Sequence, residues 1–67
     1  MTVSSVSTIT ATSPKSWQDA LEKGVQRASQ TLRGIEAVEV VQESATVEKG
    51  EIKDYVVELK IIFRLED

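Results

Sequence analysis

Carboxylates are the side chains of this sequence most able to bind a metal or move a proton. Its 67 residues include eleven Asp and Glu against eight Lys and Arg, with no His and no Cys. Nucleophile-and-base chemistry therefore lacks its usual parts, and thiolate or imidazole metal sites are excluded. Gly24, Gly34 and Gly50 stand isolated, so no glycine-rich loop cradles a phosphate. A carboxylate pair acting on a glycosidic bond would need a cleft that one short domain scarcely forms. The expectation is a protein that binds or assembles and turns nothing over.

Charge narrows the partners. The formal net charge is −3 and charged residues make up 28% of the chain, both signs interspersed. Nucleic acid and anionic lipid both call for clustered Lys and Arg, so neither is an expected partner. No apolar run approaches the roughly 20 residues of a membrane span, and no basic stretch followed by an apolar one opens the chain. The default location is the cytoplasm.

A chain this short makes a single domain, residues 1–67. Domains near this size bury only about 60% of their unfolded surface and are marginal alone. Disulfides, a structural metal or association usually meet that deficit. With Cys and His absent, association is the remaining route.

The elements that would position any site read as strand, helix, strand, strand. Thr2 to Thr10 is rich in β-branched residues and reads as a strand, although Val3, Val6 and Ile9 are spaced by three and break the alternation. Ser13 followed by Pro14 reads as a helix cap and first helical residue. A helix then runs from Pro14 to about Arg33, with Trp17, Ala20, Leu21, Val25, Ala28 and Leu32 on one stripe. Trp17 is expected to pack in the core. Gly24 near that stripe weakens the helix by about 1 kcal/mol relative to Ala, which close packing on a strand would justify. Arg33 suits the last helical turn, and Gly34 suits the left-handed residue that closes it.

Glu36 to Glu48 reads as the second strand, Lys49-Gly50 as a turn, and Ile52 to Leu65 as the last strand. Tyr55, Val57, Leu59, Ile61, Phe63 and Leu65 alternate on one face of that strand. Asp54, Val56, Glu58, Lys60, Ile62 and Arg64 form the other. The fold class is α+β, with a long antiparallel hairpin packed through its apolar face on the helix. A strand of fourteen residues spans about 45 Å, whereas a helix of twenty spans about 30 Å. One helix cannot cover such a sheet, so part of the sheet is expected to meet another copy.

The ordered set of segments resembles the dodecins over nearly the whole chain, from about Val3 to Glu66. The resemblance rests on Thr12-Ser13-Pro14 with Ser16-Trp17, and on Ala28 with Thr31-Leu32-Arg33-Gly34-Ile35. It continues through Val38-Glu39-Val40, Val47-Glu48, Gly50, Ile52, Tyr55 and Lys60-Ile61-Ile62-Phe63-Arg64-Leu65-Glu66. It implies a three-stranded antiparallel sheet partly wrapped around one helix, with twelve copies closed into a hollow homododecamer. It also implies storage or buffering of a flavin, riboflavin or FMN, without turnover.

In the flavin-binding members a Trp just before the second strand stacks on the isoalloxazine ring, and a Gln on the third strand bonds its polar edge. Aligned through Leu32-Arg33-Gly34 and Val38-Glu39-Val40, the Trp position holds Ala37; aligned through Tyr55 and Phe63, the Gln position holds Val56. Aromatic stacking contributes about 0.5–1.5 kcal/mol per pair beyond burial, and an unpartnered polar edge costs about 1–3 kcal/mol. Weak or absent flavin binding is the expectation. A flavin pocket rebuilt from Gln42 or Lys60 is the alternative, and an adaptor that captures a partner strand on its sheet edges is a third reading.

Some flavin-free members are thought to bind calcium, which needs six to eight oxygens. Glu36, Glu39, Glu43, Glu48, Glu51, Asp54, Glu58, Glu66 and Asp67 are the candidates, with Glu58 the most interesting at mid-strand. No calcium-loop motif organises them, so a site would have to form between subunits; as individual residues they read as solvated surface charge. Flavin and calcium are thus the two candidate ligands, and the residues establish neither.

Overall fold

The computed structural model describes residues 3–65. Strand β1 (Ser4–Ser13) leads into helix α1 (Trp17–Thr31), then strands β2 (Ile35–Glu48) and β3 (Glu51–Arg64). The order is the one the sequence implies. All pairings are antiparallel, and the sheet order β1-β3-β2 puts the most regular apolar strand at the centre.

Ser13 is not the helix cap and Pro14 is not helical. The cap is Ser16, in extended backbone at φ −170°, whose Oγ accepts from the Asp19 N–H at 3.0 Å while its carbonyl accepts from Ala20 N–H at 3.1 Å. The spacing Ser16-x-x-Asp19 is the signal that places this cap. Ser13 instead ends β1, fully buried; its Oγ accepts from Lys15 N–H at 3.0 Å and donates to Asp19 Oδ2 at 2.5 Å. Both serines are used, one to start the helix and one to tie it to the strand before it.

The helix is also shorter than the stripe suggests. Leu32 N–H closes it on the Ala28 carbonyl at 2.8 Å, and Leu32 itself is already extended. Arg33 therefore lies beyond the last turn. Gly34 does take a left-handed φ of 71°, but it serves the entry into β2: its carbonyl accepts from Arg64 N–H at 2.9 Å. A Cβ there would lie 3.3 Å from the Arg64 carbonyl oxygen.

Val57, Leu59 and Ile61 of β3 are buried with Ala20 and Ala28 of α1, and Trp17, Leu21, Ile35, Val38 and Phe63 pack around them. Gly24 sits face-on to this layer. A Cβ at Gly24 would lie 3.0 Å from Leu59 Cδ1 and 3.1 Å from the Ala11 methyl, so the glycine is what lets helix and sheet approach. The first strand alternates by burial even though it does not alternate by hydropathy: Ser5, Ser7, Ile9, Ala11 and Ser13 turn inward, and small side chains fill the narrow space under the helix.

β2 lacks alternation for a different reason. Register shifts between Ile35 and Ala37, Val40 and Gln42, and Thr46 and Val47 each interrupt the period. A bulge of this kind lets two residues oppose one, and the phase then resets. Ile35, Val38, Val40, Glu43 and Ala45 consequently stand opposite Phe63, Ile61, Leu59, Val57 and Tyr55 on the helix side. Lys49 and Gly50 both take positive φ, 54° and 79°, which suits a two-residue hairpin turn whose twist matches the strands.

The molecule is long, 51 × 19 × 13 Å, with a radius of gyration of 13.8 Å. A compact domain of this length would have one near 11 Å. The excess is the β2–β3 hairpin, which runs past the helix and leaves Val47 65% and Ile52 53% exposed.

Candidate functional site

The face of the sheet turned away from α1 is built from cross-strand rows. Val6, Ile62 and Ala37 form one row; Thr8, Lys60 and Glu39 the next; then Thr10, Glu58 and Gln42, followed by Thr12, Val56 and Ser44. β3 supplies the middle member each time, so its even-numbered residues set the character of the face. The apolar row is closed off at one end by a polar cluster. Arg64 Nη2 lies 3.2 Å from Glu36 Oε2, and Ser4 Oγ donates to Glu36 Oε1 at 3.3 Å.

Ala37 and Val56 both lie on this face, as do Gln42 and Lys60. They do not form one site within the chain. Ala37 stands opposite Ile62, six residues along β3 from Val56, and at about 3.3 Å per residue that is about 20 Å. Any ligand touching both kinds of position would have to be enclosed by more than one copy. The small Ala37 leaves the Val6–Ile62 row without an aromatic wall.

The carboxylates are spread out as well. Glu36 is engaged by Arg64, Glu48 Oε2 is 3.2 Å from Lys53 Nζ, and Glu39 faces Lys60 across the strands. Glu58 is half-buried between Thr10 and Gln42. Glu43 lies on the helix side opposite Val57, Asp54 stands opposite Thr46, and Glu51 adjoins the turn. Glu66 and Asp67 lie outside the described residues. Among the described residues, no three metal-ligating side chains gather at one point.

Trp17 is a strut. Its ring meets Tyr55 edge-on, with centroids 4.8 Å apart, and its Nε1–H donates to the Ser44 carbonyl at 2.8 Å. It fastens the start of α1 to the hairpin, as a core residue should. Asp19 has its carboxyl held below the usual range, first by the Ser13 hydroxyl and then by Lys23, whose Nζ lies 3.2 Å away.

Two features were not read from the sequence. One is a groove of about 450 Å³ between α1 and β1, floored by Ile9, Ala11, Ala28 and Leu32 with Lys23 and Arg27 beside it. The other is a segregation of charge. β2 carries Glu36, Glu39, Glu43 and Glu48 and no Lys or Arg, whereas β1 carries no charged residue at all. The second was visible in the sequence; the first depends on which strand ends up at the sheet edge.

Comparison with known proteins places the chain in a family. The family model named Dodecin matches residues 3–66. Dodecin from Streptomyces coelicolor superposes with a TM-score of 0.94 at 38% identity, covering 98% of this chain and 94% of that one. Dodecin from Streptomyces davaonensis gives 0.93 at 35% identity, covering 98% and 97%. The calcium-chelating antigen calcium dodecin from Mycobacterium tuberculosis gives 0.83 at 32% identity, covering 96% and 91%. No curated protein sequence matches the chain.

Proposed function

Since the chain belongs to the dodecin family, we propose that it is a non-enzymatic subunit of a hollow homododecameric shell that binds flavin weakly or not at all. The observation that carries this reading is the pair Ala37 and Val56 on the outward sheet face, where the resemblance expects a stacking Trp and a hydrogen-bonding Gln. An apolar row of Val6, Ile62 and Ala37 offers area but no flat aromatic wall. Val56 offers no donor or acceptor. Stacking of about 0.5–1.5 kcal/mol per pair and a polar partner of about 1–3 kcal/mol are missing together. Each 1.4 kcal/mol is tenfold in affinity.

Assembly is supported by the molecule's shape. A 67-residue chain with an extent of 51 Å and an uncovered hairpin gains most by burying that hairpin against other copies. Ion association is the second capacity, supported by the likeness to the calcium-chelating relative and by the run of four glutamates on β2. Because the carboxylates of one chain do not converge, such a site would combine carboxylates from symmetry-related copies.

Titration of riboflavin and FMN with pure protein, read by flavin fluorescence, tests the flavin reading, and native mass spectrometry tests the assembly. The expected result is a dodecameric mass with no quenching at micromolar protein. Ala37→Trp with Val56→Gln should then raise flavin affinity by about tenfold or more. Stoichiometric quenching by the unaltered protein would restore the storage role, with Gln42 and Lys60 as the polar contacts nearest to hand. A monomer or dimer would remove the shell, and sheet-edge capture of a partner strand would take its place.

A further inference from the structure

Helix α1 is flanked by two grooves of opposite charge. The one toward β2 has Glu22 and Glu43 as its only charged lining, and the one toward β1 has Lys23 and Arg27. In a chain of net charge −3 the second gathers positive charge against the overall excess. Strand β1 brings no acid to it, since Ser4–Ser13 holds no charged residue. Lys23 Nζ lies 3.2 Å from Asp19 Oδ2, yet its side chain stays 56% exposed. Arg27 Nη1 donates to the neutral Gln30 Oε1 at 3.1 Å, and among the described residues no carboxylate pairs with it. Lys23 and Arg27 stand one helical turn apart, where like charges repel, and an anion shared between them removes that repulsion.

The floor is apolar. Ile9, Ala11 and Leu32 pack on the core layer but are only half-buried, and with Ala28 they line the groove. Its volume of about 450 Å³ lies within the roughly 300–1,000 Å³ of small-molecule sites. From Lys23 to Thr31, both on its wall, the groove follows the helix for about 12 Å at roughly 1.5 Å per residue.

We infer that this groove binds a small anionic amphiphile, with its carboxylate or phosphate head between Lys23 and Arg27 and its apolar tail along Ile9, Ala11, Ala28 and Leu32. The guanidinium takes either head through paired hydrogen bonds, and the ammonium adds a point charge. A free inorganic anion would leave the floor wet, and a neutral lipid would leave both cations unmatched. Only a molecule with one charged end and one apolar body uses the whole groove. The site is complete within one chain, so it adds a capacity to the assembly proposed above without depending on it.

Calorimetric titration and native mass spectrometry of the protein in its assembled state test the site, with octanoate, octyl phosphate, octanol and acetate as probes. At least one of the two anionic amphiphiles should bind once per subunit and at least about tenfold more tightly than octanol, with acetate silent. The tighter of the two identifies the head group. Lys23→Gln/Arg27→Gln should weaken that binding at least about tenfold and leave octanol unchanged. Octanol binding as tightly as both anions overturns the inference. So does unchanged anion binding in the double variant, which would put the amphiphile on the Val6–Ile62–Ala37 row instead. Absence of any adduct on the unaltered assembly also overturns it, and would mean that a neighbouring copy closes the groove. If circular dichroism shows the double variant unfolded, the unaltered protein decides: affinity for the anion should fall at least about threefold between low salt and about 1 M salt, and a flat response overturns the site. A monomer that binds the anion removes the shell and keeps this site, whereas a dodecamer that ignores it removes the site alone.

Discussion

The two ends of β3 live in different environments. From Tyr55 to Phe63 the strand lies under α1, and Val57, Leu59 and Ile61 are at most 1% exposed. From Glu51 to Lys53 it runs beyond the helix, paired only to β2, with Ile52 more than half exposed. Hydrogen bonding along the ladder continues in both parts, but only one part has a covering layer. A β-ladder by itself contributes little; an apolar face removed from water contributes about 25 cal/mol per Å². The covered half therefore holds the subunit together, and the uncovered half is free to hold subunits to each other.

The sharpest test of that contrast is a pair of truncations. Leu59→Ala removes a fully buried side chain at the centre of the layer and should cost about 2–5 kcal/mol, a large share of the stability of so small a domain. Ile52→Ala should change subunit unfolding by less than about 0.5 kcal/mol and act on assembly instead. Denaturant unfolding alongside a dilution series measures both. Equal effects on unfolding would erase the distinction between the two halves.

A smaller effect probes the boundary. Trp17→Phe keeps the ring against Tyr55 but deletes the bond from Nε1 to the Ser44 carbonyl, and should cost about 1 kcal/mol in unfolding. If the loss is negligible, the hairpin is aligned by its own ladder and the strut is dispensable. A loss well above that range would mean the covered half extends as far as Ser44.

The smallest expected effect concerns pH. The Asp19 carboxyl is held below its usual range by Ser13 and Lys23. Its unfolded counterpart titrates near the ordinary value of about 3.9. The native form thus binds the proton less readily, so the stabilisation is present above the ordinary carboxylate range and lost as pH falls through the lower folded value. Asp19→Asn should flatten that part of the acid limb in a stability–pH profile, and an unchanged limb would show that the Ser13–Asp19 tie contributes nothing.

Where the sequence was legible, a local rule sufficed. Period two in Tyr55 to Phe63 marked β3 because each residue's face depends only on its neighbours in the strand. Gly24 announced a close approach, and Leu59 and Ala11 are what it approaches. Lys49-Gly50 marked a turn that both positive φ values realise. The helix start was harder, since Ser13 and Ser16 both precede an apolar stripe. The choice fell to Ser16 because Ser13 is spent on closing β1 over Asp19.

By itself, then, the sequence determined the element order and the core face of β3, each following from residue type or short-range periodicity. The tertiary structure alone decided the rest. Bulges in β2 reset its phase, so no period could say that Glu43 faces the helix while Gln42 faces away. Ala37 and Val56, each singled out through family likeness, prove to share a face yet stand six residues apart along β3. The groove beside Lys23 and Arg27 exists because β1 pairs with β3 and leaves its other edge free beside the helix. Strand order is a non-local choice among pairings, and no residue in β1 carries a local sign of which neighbour it will take.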